Sequence, residues 1–269
     1  MSDAVVKGAE AVKEAVKEDL IVLWEALPSW QQDSHFILSG YRTQSNSYKK
    51  SVQSLGYLHN ETVNIYTHLI GSLAFGVGSV ILCNALALRY PSASTEDVYV
   101  FACFFFGAVG CLGMSATYHA ISNHSPAVNR VGNKLDYLGI VLLIWGSFIP
   151  SVHYGFGPNQ EWIKMYWSMV GRCRIACSLD CMLTSCQITT IGAGCGIVST
   201  SSAFATPAWR PFRAGMFACM GLSAVIPVIH GLSLYGVKRM ESLMGLRWAV
   251  LEGLLYLTGA GLYAVSAAP

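Results

Sequence analysis

The chain has 269 residues, of which 53% are hydrophobic and only 12% are charged, and its formal net charge is +2. Soluble globular proteins have roughly 25% charged residues, so this composition excludes an ordinary soluble domain and indicates a chain that lies mostly in lipid. The small, scattered positive charge argues against a nucleic-acid partner.

The N-terminal region is expected to lie outside the membrane. Residues 1–27 combine strong helix formers with Lys and Glu at helical spacing, which predicts an amphipathic helix that ends at Pro28. No apolar run of signal-peptide type follows within the first 50 residues. We therefore expect a cytosolic N-terminal region over residues 1–58 and a transmembrane helical domain over residues 59–269.

Five segments are long and apolar enough to cross a bilayer core, which takes about 20 residues. They are 63–88, 98–119, 135–155, 213–235 and 247–265. In the region 161–203, two short apolar stretches flank a polar piece, and joined directly they would form one more span. The sequence thus predicts an all-α polytopic membrane protein with about six spans.

The basic residues outside the spans predict the orientation. If the N-terminus is cytosolic, ten Lys and Arg residues lie on the cytosolic side and five on the opposite side. This excess follows the positive-inside rule and favours a cytosolic N-terminus.

Ser115, His119 and Asp136 are the polar residues that apolarity does not explain, since polar and ionisable groups at membrane depth are costly. Ser115 and His119 are four residues apart at the end of the second span and share a helix face. Asp136 is expected to open the third span after a short loop. A His and an Asp that meet there suit Zn²⁺, with the imidazole as a ligand and the carboxylate orienting a bound water. The alternative is that both are interfacial residues that extend to water.

Three further polar sites have plainer explanations. Glu61, which lies between His59 and His68 in LHNETVNIYTH, is placed to favour the dipole at a helix N-terminus. His230 lies deep in the fifth span, either as a partner of the metal site or as a hydrogen-bonded core residue. Glu252 is expected to be an interfacial carboxylate.

Four stretches carry a resemblance to the progestin and adipoQ receptor family (the adiponectin receptor or haemolysin-III-related proteins), especially its fungal members. They are LHNETVNIYTHLIGS, SATYHAISNHSPAVNRVGNKLDYLGIVLLIWGSFIP, TPAWRPFRAGMFACMGLSAVIPVIHGL and GLLYLTGAGLYA. The resemblance implies a seven-helix membrane bundle, a cytosolic N-terminus and a buried zinc site near the cytosolic face.

The resemblance also implies roles for single residues. His119 corresponds to a zinc ligand, Asp136 to the residue that holds the metal-bound water, and Ser115 to a hydrogen-bonding residue of the site. The family's other two ligands form an H-x-x-x-H pair on the seventh helix, and no stretch of the 269 residues matches that pair. We therefore expect about six of the seven helices here, with weak or absent zinc binding and no hydrolase activity in this chain.

The polar interruption at residues 170–187 is interpreted as a retained intron of eighteen codons. Val170 and Gly171 can be encoded by a splice donor and Gln187 by an acceptor, and a further donor fits Val265-Ser266. The alternative is a genuine loop in which regularly spaced cysteines face a metal, namely Cys173, Cys177 and Cys181.

Three functions stay open on the sequence. The first is a receptor-type protein of lipid and zinc homeostasis, in the plasma membrane or an endomembrane, which hydrolyses ceramide-like amides with zinc-activated water. Its partners would be membrane lipids, a ceramide-like or other lipid ligand, and an extracellular protein ligand. The second is a non-catalytic receptor or scaffold with a structural zinc site. The third, a transporter or pore, is disfavoured because no pair of broken helices is evident and mid-span charges are few.

Overall fold

A computed structural model describes residues 20–32, 36–90, 93–157, 159–171 and 209–265. Contacts divide the chain into two compact units. Unit 1 comprises Met1–Ala74 and Cys111–Gly139, and unit 2 comprises Phe75–Gly110 and Ile140–Pro269.

Helices dominate the described part of the chain. After a short helix at Tyr48–Gln53, the main helices are α1 (Thr62–Arg89), α2 (Thr95–Ile121), α3 (Pro126–Gly155), α4 (Gln160–Gly171), α5 (Arg210–Leu222), α6 (Val225–Met244) and α7 (Leu246–Val265).

The predicted all-α polytopic membrane fold is confirmed. Five helical stretches of the described residues are long and apolar enough to cross a membrane, and each overlaps one of the five predicted spans: Thr62–Leu86, Thr95–Ile121, Pro126–Gly155, Pro211–Met244 and Leu246–Val265. In the region 161–203, α4 covers the first of the two short apolar stretches. The proposed intron beyond residue 171 and the cysteine loop lie outside the described residues.

The third span begins earlier than predicted. We expected Asp136 to open it, but α3 begins at Pro126, so Asp136 lies nearly three turns inside the helix. Proline is suited to the first position of a helix because its φ is already helical and its missing N–H would be unpaired there. Ser125 completes the start, since its Oγ accepts from the amide of Val128 at 3.4 Å and its carbonyl from that of Asn129 at 2.9 Å.

The prediction of helix up to residue 27 is wrong for the part that the structure describes. Ile21–Val22 forms a short antiparallel strand pair with Tyr41–Arg42, followed by a 3-10 turn at Trp24–Ala26. Tertiary burial explains the difference, because Ile21 and Leu27 are both buried in this arrangement. The remainder of the predicted helix, residues 1–19, lies outside the described residues.

The predicted span 213–235 lies within the apolar helical stretch Pro211–Met244. Ser223 and Ala224 separate α5 from α6 but keep helical backbone angles, whereas Gly236, just beyond the predicted span, adopts φ 71° and ψ 167°, which breaks the helical conformation. Glycine permits this backbone because it has no Cβ.

Close backbone contacts align α2 and α3 within unit 1. A Cβ on Gly139 would come within 2.9 Å of the Cα of Cys111, and a Cβ on Gly132 within 2.7 Å of the Tyr118 ring. From Gly132 to Gly139 the residue number rises along α3, while the contacted residue on α2 falls from Tyr118 to Cys111. The two helices are therefore antiparallel here. This register places Asp136 level with Ser115, and His119 one turn nearer the connecting loop.

Candidate functional site

Arg42 caps the end of α2. Its guanidinium donates to the carbonyl oxygens of His119 and Ala120, at 2.7 and 2.9 Å, and to the hydroxyls of Ser54 and Ser122, at 2.8 and 3.1 Å. The last carbonyls of a helix have no intrahelical partner, and a cation is favourable there. Burial lowers the pKa of Arg42, which is only 2% exposed.

The segment that carries Arg42 is fixed to the loop between α2 and α3. Ser51 Oγ donates to Asn123 Oδ1 at 2.8 Å, and Asn123 Nδ2 donates to the carbonyl of Thr43 at 3.0 Å. Both Ser51 and Asn123 are buried. The N-terminal segment of unit 1 is thus built onto the end of α2 that carries His119.

His59 and Thr62 satisfy the start of α1. The amide of His59 donates to Thr62 Oγ1 at 2.9 Å, and the amide of Glu61 donates to His59 Nδ1 at 3.1 Å. Burial, helped by the positive charge of Arg42, lowers the pKa of His59 to about 4. The ring is therefore neutral near pH 7, which leaves Nδ1 free to accept this hydrogen bond.

Glu61 is bonded to His119, and not to the amides of the first helical turn. Its Oε2 lies 2.7 Å from His119 Nδ1, and the two side chains are 22% and 20% exposed. The side-chain amide of Asn60 donates to Glu61 Oε1 and that of Asn64 donates to Glu61 Oε2, both at 2.8 Å. Burial alone would raise the pKa of Glu61. The hydrogen bond and charge of His119, the hydrogen bond of Asn64 and the charge of Arg42 together outweigh burial and lower the pKa.

This contact determines which nitrogen of His119 is available. An ionised carboxylate only accepts hydrogen bonds, so Nδ1 carries the proton that it receives. In the neutral ring, Nε2 is then unprotonated and has the lone pair that a metal requires. A histidine held through its other nitrogen by a carboxylate is the usual arrangement around zinc.

The predicted site residues lie in the same unit, around the same end of α2. Ser115 is 3% exposed and one turn before His119. Asp136 is near enough to His119 and His68 to interact with both electrostatically. The His68 ring centroid is 6.4 Å from that of His119, and His68 Nδ1 is buried without a hydrogen-bond partner in the described part of the chain. The shared site of His119 and Asp136 stays a prediction.

His230 and Glu252 lie in unit 2. His230 Nδ1 is 2.8 Å from the hydroxyl of Tyr166, and its ring packs against Trp162 and Phe156. His230 is therefore the hydrogen-bonded core residue that one of the two sequence interpretations predicted. Glu252 is exposed on α7.

The zinc that the resemblance implies fits part of this site. Catalytic zinc takes three protein ligands and structural zinc four. His119 fits one of these positions because its Nε2 is available and its Nδ1 is held. Among residues 20–171 and 209–265, where the structure describes them, no group of three or more His, Cys, Asp and Glu side chains is arranged to hold a metal.

Sequence reasoning missed Glu61 and Arg42 as parts of the site. Both contact α2 across a long stretch of chain, 58 residues for Glu61 and 77 for Arg42. Helical periodicity relates only neighbours three or four positions apart, so it carries no signal for these pairs. The available hint was the polar cluster around Glu61 at the start of an apolar helix.

Comparison with known proteins points to one family. The profile of the family described as "Haemolysin-III related" matches residues 56–268. The "ADIPOR-like receptor IZH2" of Saccharomyces cerevisiae is 37% identical over 241 residues, which cover 89% of the chain and 70% of that protein.

Relatives in animals and plants are also similar. The "Adiponectin receptor protein" of Drosophila melanogaster is 37% identical over 279 residues, and "Heptahelical transmembrane protein 3" of Arabidopsis thaliana is 30% identical over 292. These alignments cover 98% and 96% of the chain. They span 57% of the fly protein and 79% of the plant protein.

Proposed function

The chain belongs to the haemolysin-III-related family, and from that premise we propose that it is a receptor-like membrane protein of lipid and zinc homeostasis, whose site would hydrolyse ceramide-like amides once the two missing histidine ligands complete it. The observation that supports this proposal best is the 2.7 Å bond between Glu61 and His119 Nδ1, which leaves Nε2 for a metal. Ser115 and Asp136 lie around the same helix end, in the same unit.

The proposed chemistry assigns one role to each residue. His119 would hold the zinc ion, which when bound would supply Lewis-acid activation of water. Asp136 would orient the water at the amide carbonyl or act as its base. Ser115, buried one turn from His119, donates a hydrogen bond within the site.

We also propose that the N-terminus is cytosolic, in the plasma membrane or an endomembrane, as the excess of basic residues favours. The ligands would be membrane lipids, including a ceramide-like lipid, and an extracellular protein. Engineered glycosylation acceptors test the orientation. An acceptor near Ser94 should be glycosylated and one near Gln44 should not, and the reverse pattern would contradict the proposal.

The second candidate is a non-catalytic receptor or scaffold with a structural zinc site. It is favoured by the way in which the N-terminal segment holds His119, since Arg42 binds its carbonyl and Glu61 its ring. A metal bound there would connect the bundle to the segment outside it. This candidate predicts zinc binding that depends on His119 without turnover of lipid.

Amide hydrolysis by a purified chain in which an H-x-x-x-H helix completes the zinc site, with zinc in excess, separates the two candidates. The 269-residue chain measured beside it should show weak or absent zinc binding and no turnover. The hydrolase proposal predicts release of fatty acid from a short-chain ceramide in micelles, reduced at least about 100-fold in Asp136→Asn and His119→Ala. Glu161→Gln, a surface control on α4, should leave the rate unchanged. Zinc binding without fatty-acid release would favour the scaffold, and absence of any zinc binding that depends on His119 would overturn both.

A further inference from the structure

We propose that the hairpin before α1 inserts an apolar loop (Leu23 and Phe36–Leu38) into the surface of the bilayer, beside anionic lipid headgroups. All four side chains are exposed, from 43% for Ile37 to 69% for Leu38. The amide of Trp24 donates to the carbonyl of Leu38 at 3.0 Å, so the two parts of the loop lie side by side. Exposed apolar side chains that are grouped outside the spans mark a surface that contacts protein or membrane.

The apolar loop lies at the level of the lipid headgroups. The amide of Asn60, two residues before α1, donates to the carbonyl of Gly40 at 2.8 Å. With 28 residues α1 is about 42 Å long, close to the roughly 40–45 Å of a bilayer with its headgroups, so its first turn lies among them. Leu38 is two residues from Gly40, a distance of at most about 7 Å along an extended chain. This places the loop within the depth at which interfacial apolar groups are buried.

The hairpin is fixed to two spanning helices of unit 1. Arg42 donates to the carbonyls of His119 and Ala120 at the end of α2, at 2.7 and 2.9 Å, and the bond between Gly40 and Asn60 holds the hairpin to the start of α1. The loop is therefore ordered before it meets lipid. Its insertion costs little conformational entropy, since a pre-organised surface has already lost that freedom on folding.

The charges next to the apolar loop favour an anionic surface. Residues 36–60 contain Arg42, Lys49 and Lys50 and no Asp or Glu. Arg42 is buried, whereas Lys49 and Lys50 are exposed on the short helix Tyr48–Gln53. Anionic lipids attract basic residues and are concentrated in the cytosolic leaflet, in agreement with the proposed orientation. A second copy of the chain, paired through the same face, would instead bring like charges together.

Depth-dependent quenching tests the insertion. The 269-residue chain with Leu38→dansylalanine is placed in nanodiscs of phosphatidylcholine and phosphatidylglycerol, with and without phosphatidylcholine that has a doxyl spin label on its acyl chain. The emission should be blue-shifted and quenched by the doxyl lipid. Glu25→dansylalanine, at an exposed polar position of the same hairpin, is the matched control and should be quenched less.

Three results would overturn the insertion. Emission typical of water at position 38 would mean that the loop stays in solvent. Blue-shifted emission that the doxyl lipid does not quench would mean that protein covers the loop. Equal quenching at positions 25 and 38 would mean that the apolar side chains do not enter the bilayer more deeply than the rest of the hairpin.

Lipid charge is the second variable. In the mixed nanodiscs, Lys49→Gln and Lys50→Gln should each lower the ratio of inserted to solvent-exposed loop about fivefold, the effect of one lysine near an anionic surface. Lys238→Gln, an exposed lysine on α6, is the control and should leave the ratio unchanged. In nanodiscs of phosphatidylcholine alone, quenching at position 38 should be weaker and independent of both lysines. Equal quenching in the two lipids, with no effect of Lys49→Gln or Lys50→Gln, would overturn the assignment to anionic lipid.

Discussion

The starts of α1 and α2 present the same residue types in two different arrangements. Each start has a carboxylate near a histidine of another helix, Glu61 with His119 in unit 1 and Asp97 with His153 in unit 2. Glu61 contacts its histidine at 2.7 Å, but Asp97 Oδ1 is 3.9 Å from His153 Nε2. Only the first pair is a hydrogen bond.

Local capping explains the difference. Asp97 and Ser94 form a reciprocal pair, in which Asp97 Oδ2 accepts from the Ser94 amide at 2.8 Å and Ser94 Oγ accepts from the Asp97 amide at 3.3 Å. The other Asp97 oxygen accepts from the hydroxyl of Tyr154 at 2.8 Å. At the start of α1 the imidazole of His59 accepts the capping hydrogen bond, so the Glu61 carboxylate is not needed as a cap. In this protein, the acidic residue that is hydrogen-bonded to a histidine of another helix is the one whose helix start is capped by another residue.

Arg42→Ala should have the largest effect on stability. The substitution removes a buried cation and leaves the carbonyls of His119 and Ala120 without their partner. We expect a loss of about 3–5 kcal/mol in the free energy of unfolding, measured by denaturation in mixed micelles. Arg247→Ala, whose side chain is 74% exposed in its pair with Glu241, should cost only about 0–1 kcal/mol. Similar losses in both variants would contradict the capping role of Arg42.

Acid should weaken the start of α1 through His59. Its pKa is about 4 in the folded protein and 6.5 as an ordinary value, so the unfolded chain binds more protons between these limits. The stabilisation is present above pH 6.5 and falls as the pH is lowered towards 4, by about 3 kcal/mol in all. His59→Asn, which does not titrate there, should unfold with a flatter dependence on pH. An unchanged slope would show that His59 is not held neutral.

The fold was easier to predict from the sequence than the site. Long apolar runs predicted each span, because lipid requires helices of a given length and apolarity. The start of α3 was missed because its first turns contain polar residues such as Asn129 and Arg130. The apolar run therefore begins later than the helix itself. Glu61 and Arg42 were missed because their bonds to His119 depend on tertiary packing. The types of residue at the site were visible, but their pairing was not.

Ser94→Ala should have the smallest effect and should sharpen the comparison between the two helix starts. Loss of this cap at α2 should lower the free energy of unfolding by about 1 kcal/mol. Because Asp97 and His153 form no zinc site in this account, the zinc affinity should be unchanged. A fall in zinc affinity as large as that of His119→Ala would mean that the two helix starts are not functionally different.

The most direct test of the central claim is X-ray absorption at the zinc edge on the zinc-loaded chain. If His119 Nε2 binds the metal, the spectrum should contain an imidazole nitrogen at about 2.0–2.1 Å, and His119→Ala should reduce the imidazole contribution. The matched variant His153→Ala should leave the spectrum unchanged. An imidazole signal that persists in His119→Ala, or one that disappears in His153→Ala instead, would contradict the claim that the Glu61–His119 pair is the metal site.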